Sequence, residues 1–189
     1  LCDRRAGLGA DGVIRVVRTD ACEDPAAVAA RDEALWFMDY RNADGSLSQM
    51  CGNGVRVMAL YLATHADVDL RNQLLIATRG GIKRIDFDGA NITVDMGEPV
   101  VKGESNVGVG AKSWSSRHVD MGNPHAVAFV ESLEDAGDLR EAPQYDESVY
   151  PEGVNLEFVT RVGDHHVAMR VHERGVGETR SCGTGACAA

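Results

Sequence analysis

The chain has 189 residues, 44% hydrophobic, a formal net charge of −10 and a pI near 5.0, which suits one large or two small globular domains. No stretch approaches the roughly 18 uninterrupted apolar residues of a membrane helix, and no basic segment precedes an apolar run at the N-terminus, so neither a span nor a signal peptide is read here. The acidic balance leaves no basic surplus to neutralise phosphates, which excludes nucleic acid and anionic membranes as main partners.

In chain order, the first predicted element is a strand over residues 12–18. A weak helix comes next over 24–34, with Pro25 in its first turn, then a strand over 35–41. A clear helix opens after Asn53, because Val55, Met58, Ala59 and Leu62 fall at the i, i+3, i+4, i+7 spacing of one buried face. Strands are predicted over 82–88, 91–95, 125–130, 154–162 and 167–173. In the last of these, Val167, Met169 and Val171 alternate with Ala168 and Arg170. Residues 96–116 hold Pro99 and several glycines with little periodicity, and read as a linker between an N-terminal half, 1–108, and a C-terminal half, 109–189. Strand-rich halves with one helix each indicate an α+β protein, not alternating βαβ units. The chain opens on Leu1 without a methionine and stops inside an apolar run at Ala189, so a fragment is expected.

Gly7-Leu8-Gly9-Ala10-Asp11-Gly12 matches the G-x-G-x-x-G of dinucleotide sites, but Asp3-Arg4-Arg5 before it is a poor buried strand. Val13-Ile14-Arg15-Val16-Val17 after it reads as strand, where a helix is required. A phosphate loop fails as well, since Ala111 stands where the glycine before Lys112-Ser113 should be. The five cysteines are an odd count without C-x-x-C, as in a cytoplasmic protein with reduced thiols, and Cys182 and Cys187 lack the partner pair of a structural zinc site.

The informative signal is an internal echo. Cys51-Gly52-Asn53-Gly54-Val55 and Cys182-Gly183-Thr184-Gly185-Ala186 share one pattern, and each opens a helix-like run. Glycines permit a sharp turn and close approach to a ligand, Asn or Thr can cap the exposed amides, and a free helix N-terminus carries partial positive charge. That environment is expected to lower a thiol pKa and to cradle a carboxylate. Two such turns suit inversion of a carbon next to a carboxylate, with a base on one face, an acid on the other and the developing charge held by the helix ends. Against this stand two blander readings: that both cysteines are small buried hydrophobes, and that they form a redox pair, though the spacing of dithiol catalysts is missing.

At these residues the chain closely resembles the diaminopimelate epimerase family. The matching segments are DRRAGLGADGV (3–13), RNADGSLSQMCGNGVR (41–56), MGNPH (121–125), GVNL (153–156) and VHERGVGETRSCGTGACAA (171–189). Proline racemases, in the same superfamily, typically carry His where Asn53 stands and lack the run Gly177-Glu178-Thr179. Phenazine-biosynthesis isomerases lack the cysteine pair.

The resemblance implies two pseudo-symmetric halves, each a barrel-like sheet wrapped around a central helix, with the site between them. It implies interconversion of LL- and meso-diaminopimelate, for lysine and peptidoglycan precursors, without pyridoxal phosphate, another cofactor or a metal. The expected partner is the small amino-acid substrate, in the cytoplasm, and a homodimer is compatible with the reading. Cys51 and Cys182 match the catalytic pair. Gly52, Asn53, Gly183 and Thr184 match the cradle for the carboxylate at the reacting carbon. Asn42, Asn123, Asn155 and Arg174 match groups holding the distal amino-acid end, which calls for a guanidinium and for oxygen acceptors. Glu173 matches a substrate-binding residue placed at the site, and it and His125 match groups that adjust the thiols. Taken singly, Asn42 and Asn123 could be turn residues, and Arg174 beside Glu173 a surface pair. The family's substrate-contacting Asn in an N-terminal strand precedes the first residue here, and Gly12, where some members carry Gln, is given no role.

Overall fold

A computed structural model describes residues 1–66 and 68–189, which form two compact units, Leu1–Gly97 and Glu98–Ala189. The divide at Gly97 falls ahead of the 108/109 boundary read from sequence. The stretch 96–116 is not a linker: most of it belongs to a long antiparallel hairpin whose strands, Val100–Val109 and Lys112–Asp120, pair through backbone hydrogen bonds that demand no apolar periodicity.

The first unit is a five-stranded sheet in sequence order: β1 (Gly12–Arg18), β2 (Trp36–Asn42), β3 (Leu74–Thr78), β4 (Gly81–Asp88) and β5 (Asn91–Asp95). All neighbours are antiparallel except β2 and β3. A parallel pair needs a crossover, and the longest helix supplies it. With α1 assigned to Pro25–Ala29, this helix is α2 (Gly52–His65). Val55, Met58, Ala59 and Leu62 are buried as their spacing predicts, packed with Met38, Ile76 and Ile85. Val55, Met58 and Leu62 each contribute about 1.5–3 kcal/mol by leaving water.

Helix α1 is shorter than the predicted 24–34. Asp24 caps it and Pro25 opens it, but its alanines bury little area. Ala30 and Ala34 pack instead in a small cluster with Phe37 and Ala77. The unit is pinned by Asp39, 2% exposed, which accepts from Arg15 Nε at 2.9 Å and Arg79 Nη2 at 2.5 Å. Arg79 also bonds Asp24 and donates to the carbonyls of Tyr40 and Ser48, while Gly80 N–H donates to Gln49 O at 2.8 Å. These bonds hold the loop that leads into Cys51.

The second unit is a seven-stranded sheet. With β6 (Val100–Val109), β7 (Lys112–Asp120), β8 (Pro124–Phe129), β9 (Gln144–Tyr145), β10 (Asn155–Gly163), β11 (His166–Glu173) and β12 (Gly177–Thr179), its order is β12-β11-β10-β8-β7-β6-β9. Strands β8 and β10 are parallel, and their neighbours antiparallel. Ala126 and Ala128 of β8 join Leu156 and Phe158 of β10 in the apolar core. The short α3 (Gly183–Ala188) packs against β8. The architecture is α+β, each unit a sheet with one central helix opened by a Cys-Gly-x-Gly turn. Among the described residues no helix is long and apolar enough to cross a membrane.

Candidate active site

The two cysteine turns fold alike. Cys51 and Cys182 each stand at the N-cap in extended conformation, at φ −139°, ψ 110° and φ −121°, ψ 116°. In each, the sulfur accepts the N–H of the glycine three residues on, Gly54 or Gly185, at 3.3 Å. The cap is therefore the cysteine itself, not the Asn or Thr anticipated from sequence. An ordinary oxygen cap stabilises a helix start by about 1 kcal/mol, and here the same position presents a thiol.

Beneath the turns the two sites part. A Cβ on Gly54 would meet Ile14 Cδ1 at 3.2 Å, whereas a Cβ on Gly185 would meet Glu157 Oε1 at 2.6 Å. The second floor results from strand alternation. Residues 155–159 of β10 are all buried, so both faces of the strand are covered. Leu156 and Phe158 enter the apolar core, while Asn155 and Glu157 point to the opposite face. The parallel register sets Asn155 beside His125 of β8.

A buried chain of hydrogen bonds results. Glu157 Oε1 lies 2.6 Å from His125 Nδ1, and His125 Nε2 lies 3.1 Å from Asn123 Oδ1. Asn123 Nδ2 donates to Thr184 Oγ1 at 3.3 Å, and Thr184 Oγ1 is 3.4 Å from Cys182 Sγ. The Asn123 amide turned this way requires the proton on His125 Nε2, and leaves Nδ1 and Glu157 to share one more. His125 and Glu157 are both fully buried, and Glu157 Oε2 has no hydrogen-bond partner among the described residues. Burial, chiefly, pushes the Glu157 carboxyl above its usual range, against the hydrogen bond from His125.

Burial likewise pushes the Cys182 thiol up to about 12, opposed by hydrogen bonds from Thr184 and Gly185 and reinforced by the nearby Glu173 and Glu157 carboxylates. The expected lowering by the helix end is thus overturned for Cys182, because one amide and one hydroxyl do not offset removal of the sulfur from water. Cys182 is a thiol at neutral pH. The ligating atoms of His125, Glu157 and Cys182 lie within 4.8 Å of one another, near enough for a metal ion. Two of the three are already bonded to each other, which makes the group a proton-sharing cluster.

The other predicted residues divide between the units. Gly52 is buried and Asn53 exposed on the first turn of α2. Asn42 ends β2 and donates to Ser46 Oγ at 3.0 Å, closing a turn. In the second unit, Asn155 donates to Pro124 O at 3.1 Å and accepts from Arg174 N–H at 3.0 Å, tying the start of β8 to the residue after β11. Glu173 accepts from Thr179, and the Arg174 guanidinium donates to Glu152 O at 3.3 Å. Asn123, His125, Thr184 and Cys182 meet in one cluster, with Gly183 on the same helix turn. Glu157 was missed by sequence reasoning. The available signal was a carboxylate inside the apolar run Leu156–Val159.

The family described as Diaminopimelate epimerase matches residues 1–102 and 117–189. Similar proteins include a diaminopimelate epimerase of Streptomyces coelicolor, 56% identical over all of this chain and 65% of the relative, and one of Mycolicibacterium gilvum, 47% identical over all of this chain and 70% of the relative. The chain thus spans about two thirds of the length of the curated relatives it matches. A hydroxyproline epimerase from Agrobacterium vitis, solved with bound trans-4-OH-L-proline, shares the fold at 15% identity, with a TM-score of 0.67 over 95% of this chain and 58% of that one. A PhzF-family phenazine biosynthesis protein of Bacillus anthracis aligns at 15% identity, TM-score 0.51, over 81% of this chain and 59% of that one.

Proposed function

Since the chain belongs to the diaminopimelate epimerase family, we propose that it carries the site for interconverting LL- and meso-diaminopimelate, with Cys51 and Cys182 as the two proton-transfer groups. One observation carries the reading: two cysteines stand at the N-caps of two helices in matching geometry, each with its sulfur accepting the N–H of the glycine three residues on. In one direction a Cys51 thiolate takes the α-proton, so that an S–H bond forms as the C–H bond breaks and the electron pair spreads into the adjacent carboxylate. The Cys182 thiol then delivers its proton to the opposite face of the carbon. In the other direction the roles exchange. The amides at Gly52, Asn53, Gly183 and Thr184 hold the carboxylate as charge develops. Asn42, Asn123, Asn155 and Arg174 hold the distal end, and Glu173 and His125 tune the thiols. The thiols and amides need no cofactor for these steps. The setting is cytoplasmic synthesis of lysine and peptidoglycan precursors, and a homodimer is compatible with it.

The test is incubation of the full-length protein with LL-diaminopimelate in D2O. Deuterium should enter at the α-carbon as meso product forms, and Cys51→Ala and Cys182→Ala should each lower turnover by about a thousandfold. Full activity in either variant sinks the two-thiol mechanism. Turnover of proline but not diaminopimelate would move the protein to the proline racemases. Tight binding without isotope exchange would make it a binding module.

A further inference from the structure

Proton transfer between the two thiols and the α-carbon makes no use of Glu157. Its carboxyl is fully buried on β10, one oxygen bonded to His125 Nδ1 and the other without a partner among the described residues. An unpaired buried polar atom costs about 1–3 kcal/mol. A glutamine would fill the same space and still donate to Nδ1, so shape alone does not account for an acid here. The carboxyl also lies against the turn that presents the thiol: Oε1 sits 2.6 Å from where a Cβ of Gly185 would be, and the Gly185 N–H is the one bonded to Cys182 Sγ.

We propose that Glu157 is a positioning residue for Cys182: seated under the first turn of α3 and sharing one proton with His125, it fixes the charge against which the thiol gives up and regains its own proton. The pair is neutral overall whether the shared proton rests on oxygen or nitrogen. While it stays neutral, a thiolate at Cys182 is opposed by burial and by Glu173. Once the shared proton is lost, a carboxylate lies beneath the sulfur and disfavours the thiolate further. The groups facing Cys182 are His125 from β8, Glu157 from β10 and Glu173 from β11, with Thr184 and Gly185 from its own helix. Tyr150, bonded to Ser105, also faces Glu157. Because thiol and pair each resist a second negative charge, ionisation at one holds the proton at the other.

The inference rests on Cys182 as a proton-transfer group, but its first test needs no turnover. In the full-length protein, the pH dependence of Cys182 alkylation by iodoacetamide is followed by peptide mass spectrometry. Glu157→Gln should lower the midpoint by about one pH unit, and so speed labelling below the midpoint about tenfold. The alkaline limb of kcat/KM should move the same way with KM little changed. Glu157→Asp, which retains the charge, should keep the wild-type midpoint. An unshifted Gln profile overturns the proposal. So does equal loss of activity in both variants without a shift, and so does failure of Glu157→Gln to fold, which would make the carboxylate structural. A shifted Gln profile in a protein that does not epimerise would defeat the functional reading and leave this one standing.

Discussion

The two cysteine turns share sequence pattern, cap geometry and sulfur–amide distance, yet one rests on an isoleucine methyl and the other on a buried carboxyl. The 14-residue α2 holds its turn by burying a full apolar face, whereas α3 has six residues and is held over polar groups of β8 and β10. A local motif therefore sets where a thiol stands and which amide it meets. The strands beneath decide its electrostatics. Two matching turns thus place their thiols over different floors.

The largest effect expected from this difference is on stability at alkaline pH. Folding raises the Cys182 thiol from an ordinary 9.0 to about 12. Its stabilisation is present in full below pH 9 and is lost as pH rises from 9 towards 12, because the unfolded chain releases a proton that the folded one retains. The shift corresponds to about 4 kcal/mol. Denaturant unfolding of the full-length protein between pH 7 and 11 should show about two thirds of this loss, about 2.7 kcal/mol, and Cys182→Ser, with no group to titrate there, should flatten the curve by that amount. A variant that falls in parallel with wild type would mean that the sulfur is not held from water.

The next effect is steric. Gly185→Ala drives a methyl to 2.6 Å from Glu157 Oε1, and the carboxyl is hemmed in on β10 by its bond to His125. Overpacking of this kind costs about 2 kcal/mol after the helix propensity gained from alanine. A calorimetric melt checks it. Stability equal to wild type would mean that the carboxyl swings freely and cannot set the charge under the thiol.

How far these sites were legible in the sequence depended on range. Strands 12–18 and 91–95 were legible because Val and Ile are bounded by Gly, Asn and Asp, and β1 and β5 have those same bounds. The buried face of α2 was legible in four side chains. Strands β6 and β7 were not, since a hairpin rich in Gly, Ser and Lys and largely exposed over Val100–Glu104 makes its ladder from backbone groups that composition does not reveal. The cysteine turns were legible because each is complete within five residues. Glu157 was hidden because its partner is 32 residues away, and they meet through the parallel register of β8 and β10, which no local pattern encodes.

The smallest expected effect isolates the floor from the turn. Gly54→Ala builds the same methyl at the same position of the same motif, but it meets Ile14 Cδ1 at 3.2 Å and the Cys51 Cβ and Sγ at 3.3 Å. The end of an isoleucine can turn aside by a few tenths of an ångström, and alanine adds up to about 1 kcal/mol of helix propensity that glycine lacks. The two contributions nearly cancel, so the melting midpoint should stay within about 4 °C of wild type. Contacts with the cysteine's own atoms are common to both turns, since a Gly185 Cβ would approach Cys182 Cβ at 3.2 Å. If Gly54→Ala were to lose as much stability as Gly185→Ala, the constraint would lie in the turn itself, and the difference between isoleucine and glutamate beneath it would count for nothing. A gap of about 2 kcal/mol between the variants instead assigns the difference to the floor, isoleucine under one turn and glutamate under the other.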